Sequence, residues 1–115
     1  MATENPTGGE RAVPLSIPPA QTEYLRGELL GLMAGLEDDA QTYPGQPEAR
    51  RWIAEAEAYG RLAAGLDSGE VVPDERVRRL VREWAEAHDR AEHYERVVFE
   101  HDAIAALSEQ IGAGR

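Results

Sequence analysis

The stretch that decides the fold is Pro73–Ile111, PDERVRRLVREWAEAHDRAEHYERVVFEHDAIAALSEQI. After Pro73 it holds neither glycine nor proline, so no helix breaker interrupts it. Its apolar stripe nevertheless changes face. Val77, Leu80, Val81, Trp84, Ala87 and Ala91 recur at three- and four-residue spacing and share one side of a helix. Val97, Ile104 and Ile111 then repeat at seven, with Tyr94 and Leu107 beside them. At about 100° per residue, the second set is centred more than about 90° from the first. A single helix with two such stripes needs two partners.

The preceding segments limit what the first partner can be. Residues 1–12 (MATENPTGGERA) are polar, with a proline and a glycine pair, and read as a disordered tail. Val13, Leu15 and Ile17 alternate with Pro14, Ser16 and Pro18, which suits an extended arm or an edge strand but no central strand. A first helix is expected from about 19 to 41, opened by Pro19 and closed by Tyr43-Pro44-Gly45-Gln46-Pro47, with Leu25, Leu29, Leu32, Met33, Leu36 and Ala40 as its core stripe. A second is expected from about 47 to 66, presenting Trp52, Ala56, Tyr59, Ala63 and Leu66, flanked by Ile53 and Gly60 and closed by Asp67-Ser68-Gly69. Pro73-Asp74-Glu75 opens the third, and Gly112 stops it.

Short connections make consecutive helices antiparallel neighbours. Helices of roughly twenty residues reach about 30 Å, whereas a continuous 73–111 helix reaches about 57 Å. The first two helices can therefore cover only half of the third. The expected architecture is an all-α, three-helix antiparallel bundle with a long C-terminal helix, forming one domain over 13–115. A break near 88–95, giving a four-helix bundle, is the alternative, and the arm around Val13 to Ile17 covering the overhang is another. The continuous helix predicts a homodimer held by Tyr94, Val97, Val98, Ile104, Leu107 and Ile111, because an exposed apolar stripe needs a cover.

Composition narrows the function. The formal charge is -10, from 22 acids against 12 bases, and every base is arginine. That balance disfavours a general nucleic-acid binder, which needs a cationic contact surface. The absence of cysteine excludes disulfides, thiolate metal sites and thiol nucleophiles. No stretch approaches the roughly 18 apolar residues of a membrane span, and no secretory signal is visible at the N-terminus, so a cytoplasmic protein is expected.

Three constellations could carry chemistry. His88, Glu92, Glu95 and Asp102 lie close together on a helical wheel, with Asp89, His93 and Glu100 on a neighbouring face. Imidazole and carboxylate suit iron, manganese or zinc, and His88, Glu92 and Glu95 are the metal-ligand candidates. The Glu-x-x-His spacing of di-iron bundles is missing, since positions 85, 90 and 98 are Ala, Arg and Val. The plainer reading is a stripe that turns polar where its partner helices end. Gly27, Gly31 and Gly35 form a ladder along the first helix, each costing about 1 kcal/mol relative to alanine. That ladder is expected to be a groove for close approach of another backbone, as small-x-x-x-small ridges are, or of Trp84; drift in a chain rich in Ala, Gly and Arg is the alternative, and a ligand groove a further one. Arg76, Arg78, Arg79 and Arg82 alternate with Glu83 and Glu86, the pattern of a solvated, salt-bridged face.

The alternating, proline-ended run Val13-Pro14-Leu15-Ser16-Ile17-Pro18-Pro19 resembles the start of ribbon–helix–helix repressors, and implies a dimeric DNA-binding regulator as a further alternative. It departs from them in Pro14, in the uncharged Ser16 and in the length of the following helix. No serine sits in a nucleophile elbow, and no phosphate-binding loop is present. The reading is a small, acidic, non-enzymatic interaction or regulatory module, needing no cofactor, that binds its own copy and a protein partner. A metal-binding helical bundle is the alternative.

Overall fold

A computed structural model describes residues 11–90 and 97–113, apart from the side chains of Asp89, Arg90, Val97 and Val98. The described chain is mostly helical: α1 (Pro19–Thr42), α2 (Ala49–Ser68), α3 (Glu75–Arg90) and α4 (Val97–Ile111), with two-residue strands β1 (Val13–Pro14) and β2 (Glu70–Val71). The predicted tail lies mainly outside the described residues; Arg11 and Ala12 are exposed coil.

α1 and α2 form the hairpin that turn chemistry predicts, and theirs is the most extensive contact between elements. Pro19 occupies the first helical turn of α1, where its missing N–H costs nothing. α2 ends at Gly69, whose φ of 92° lets its N–H return 2.8 Å to the Gly65 carbonyl. The chain then doubles back as β2, which pairs antiparallel with β1 in the register Val13↔Val71 and Pro14↔Glu70. Gly65 makes this possible: a Cβ there would stand 2.8 Å from the Glu70 carbonyl oxygen and 2.9 Å from the Val71 Cβ. Asp74 starts α3. One of its carboxylate oxygens accepts the Val77 N–H at 2.9 Å and the other accepts from Arg61 at 2.9 Å.

The expected continuous 73–111 helix is corrected here. On one straight helix, His88 and Glu100 would lie about 18 Å apart, and Arg82 and Ala113 about 46 Å. Instead the His88 Nε2 is 3.0 Å from a Glu100 carboxylate oxygen, and Arg82 donates to the Ala113 carbonyl at 3.3 Å. α4 therefore runs antiparallel to α3, joined through residues 91–96, which lie outside the description. Gly112, with φ 76°, closes α4: its N–H reaches the Glu109 carbonyl and that of Ala113 reaches Ser108, a Schellman stop.

Reversal brings the second apolar stripe into the chain's own core. Ile104, Leu107 and Ile111 are buried in one cluster with Leu25, Leu29, Leu62, Val77 and Val81. Tyr24 and Phe99 meet edge-to-face, with ring centroids 6.0 Å apart, tying α4 to α1. Gln110 locks the arm, accepting the Ser16 N–H at 2.7 Å and donating to the Ser16 carbonyl at 3.0 Å. The arm's partly buried Val13, Leu15 and Ile17 pack against the core.

Most of the predicted core positions are buried, among them Leu25, Leu29, Ala40, Ala56, Tyr59, Ala63, Leu66, Val77, Leu80 and Val81, while Met33, Leu36 and Trp84 are partly buried. Leu32 departs from its stripe and is 38% exposed. It belongs to the flank of α1 away from Met33, the side chain that meets α2 at Gly60.

Candidate functional site

Two surfaces collect the residues that the sequence singles out. The first lies where α3 ends and α4 begins. His88 reaches Glu100 across the reversal, and the His88 and His101 rings stand edge-to-face with centroids 4.5 Å apart. The nitrogen facing the carboxylate is Nε2. Among the described residues, the buried His88 Nδ1 has no hydrogen-bond partner. The His88–Glu100 pair spans the two helices where they meet.

Of the metal-ligand candidates, only His88 is described, and it is joined by Glu100 and His101. Glu92 and Glu95 lie outside the described residues, as does His93, and Asp102 is exposed. Among the described residues, no group of three His, Asp or Glu side chains is placed to hold a metal ion. Periodicity missed the His88–Glu100 pair because it assigned them to neighbouring faces of one helix, whereas contact arises from folding back.

Three of the residues predicted to form an interface lie in the core instead. Ile104, Leu107 and Ile111 are core residues, each at most 3% exposed, so they cannot serve a second copy without leaving the core. Tyr94 and the side chains of Val97 and Val98 lie outside the description. Phe99, on the same helix, is 41% exposed despite its contact with Tyr24.

The second surface is the outer face of α1. The glycine ladder packs against nothing among the described residues: Gly27, Gly31 and Gly35 are exposed, and a Cβ added at any of them would find nothing within 4 Å. Trp84 is elsewhere, packed on the core. The reason is rotational. Leu25, Leu29, Met33 and Ala40 take the inward side of α1, and the ladder lies roughly opposite them at about 100° per residue. Leu30, 40% exposed, and Leu32 border the ladder on its two sides. The exposed acids of this helix are Glu23, Glu28, Glu37, Asp38 and Asp39. Its one base, Arg26, is directed to Asp67 of α2 at 3.4 Å.

Three of the four arginines on this face of α3, Arg78, Arg79 and Arg82, are paired within the chain. Arg78 reaches Glu75 at 3.5 Å and the Pro73 carbonyl, Arg79 reaches Glu83 at 3.7 Å and Glu55 at 3.8 Å, and Arg82 reaches Glu75 at 3.9 Å. Exposed pairs of this kind contribute little stability each. They do occupy three of the guanidinium groups that a nucleic-acid contact would use. Behind this face, burial pushes the Tyr59 phenol above its ordinary pKa of 10.0; the Glu55 and Glu83 carboxylates add to the rise, and Arg79 opposes it.

No helix among the described residues is long and apolar enough to cross a membrane. No protein-family model, curated protein or solved structure matches the chain.

Proposed function

We propose that this chain is a non-catalytic protein-interaction module, a four-helix fold-back bundle that offers the outer face of α1 to a protein partner. The observation that carries this reading is the open space over Gly27, Gly31 and Gly35. Three glycines within one helix sacrifice about 3 kcal/mol of helix propensity relative to alanine. Nothing within the described chain uses the resulting smooth surface. A partner helix lying along it would gain close backbone approach, bordered by the exposed Leu30 and Leu32. The arginines Arg78, Arg79 and Arg82 of α3 are engaged in ion pairs and the β1 arm is pinned, whereas the outer face of α1 presents Leu30, Leu32 and five exposed acids.

A second copy is the poorer occupant of this face. Antiparallel packing of two α1 helices about Gly31 would set Glu23 of one against Asp38 and Asp39 of the other, like charges facing each other. The earlier basis for self-association, the stripe at Ile104, Leu107 and Ile111, is consumed by the core. The reading therefore places the partner outside this chain.

Gly31→Arg tests it, because the open space accepts the side chain without disturbing the fold. Capture of partners from the native host's extract is compared for wild type, Gly31→Arg and a control substitution at Arg76 on α3. The reading expects one or more proteins held by wild type and the control but lost by Gly31→Arg. Identical capture by all three, with Gly31→Arg folded, would sink it.

A further inference from the structure

We draw no further inference here: the strongest candidate, the His88–Glu100–His101 cluster where α3 and α4 meet, belongs to the site already described, and no group of three among the described residues is placed to hold a metal ion.

Discussion

The same substitution, glycine to alanine, is expected to have opposite signs at different positions of this chain. At Gly27, Gly31 and Gly35 the new methyl group meets nothing within 4 Å. The only change in the folded state is then the gain in helix propensity, about 1 kcal/mol per site. The sites are exposed and share no partner, so the triple variant should gain about 3 kcal/mol. At about 4 °C per kcal/mol for a domain of this size, melting should rise by about 12 °C. Gly65 lies in α2 and receives the same propensity term, but its methyl would stand 2.8 Å from the Glu70 carbonyl oxygen and 2.9 Å from the Val71 Cβ. Neither can yield without moving β2. Overpacking of this kind costs about 1–3 kcal/mol, enough to outweigh the gain. Gly60 falls between, because the atom it would meet, the Met33 sulfur at 3.1 Å, ends a flexible side chain. Its alanine variant should be close to neutral.

Chemical denaturation of the single variants and the triple, followed by circular dichroism, measures the whole series. The predicted order of stability is the triple first, then the single ladder variants, then wild type with Gly60→Ala, then Gly65→Ala. A ladder variant less stable than wild type would refute the argument, since it would mean that the outer face of α1 is already covered in the isolated chain. A stable Gly65→Ala would equally contradict the close approach of β2. Solution mass in the same samples separates the two causes of a ladder loss: a wild-type oligomer dissolved by the substitution locates the cover in a second copy.

Leu107→Ala should cost about 2–5 kcal/mol, as a fully buried leucine does, and Ile104→Glu should abolish cooperative unfolding; an Ile104→Glu protein that melts normally but changes solution mass would restore the surface-contact reading of that stripe. Asp74→Ala removes the acceptor for the Val77 N–H and should cost about 1 kcal/mol in denaturant titrations, with Asp74→Asn recovering most of it. The raised pKa of Tyr59 means that the folded state holds its phenolic proton more tightly than the unfolded state, so the associated stability is complete below pH 10.0 and declines as the pH climbs through the folded-state value. Tyr59→Phe should therefore flatten the fall in stability above that pH, and an unchanged alkaline slope would remove Tyr59 as its source.

The α1–α2 hairpin was legible because its determinants are local. Pro19, the Tyr43–Pro47 turn and Gly69 act within a few residues of where they stand, and the structure puts the helix ends within two residues of the expected positions. The reversal between α3 and α4 was not legible in the same way. No glycine or proline marks it, and the comparison of stripes that suggested a dimer assumed one helical axis from Pro73 to Ile111. That assumption decides the outcome. Wheel angles are meaningful only along one axis, so a stripe displaced by more than about 90° can mean two partners or simply two helices, each with its own phase. Once the axis is broken, Ile104, Leu107 and Ile111 need no second partner, because they meet Val77 and Val81 in one core. The same break explains why a tempting His and Glu array on one helix becomes a cross-helix pair of His88 with Glu100. The Gln110–Ser16 pair, 94 residues apart in sequence, was equally beyond reach, since no local pattern encodes which arm meets which helix end. By contrast, the ladder of Gly27, Gly31 and Gly35 was expected to receive another backbone or Trp84, and it lies on the exposed side of α1. Deciding that side required weighing the ladder against Leu25 and Leu29 on the opposite face of the same helix. A leucine gains up to about 3 kcal/mol from burial and a glycine almost nothing, so the leucines had the stronger claim on the interior all along.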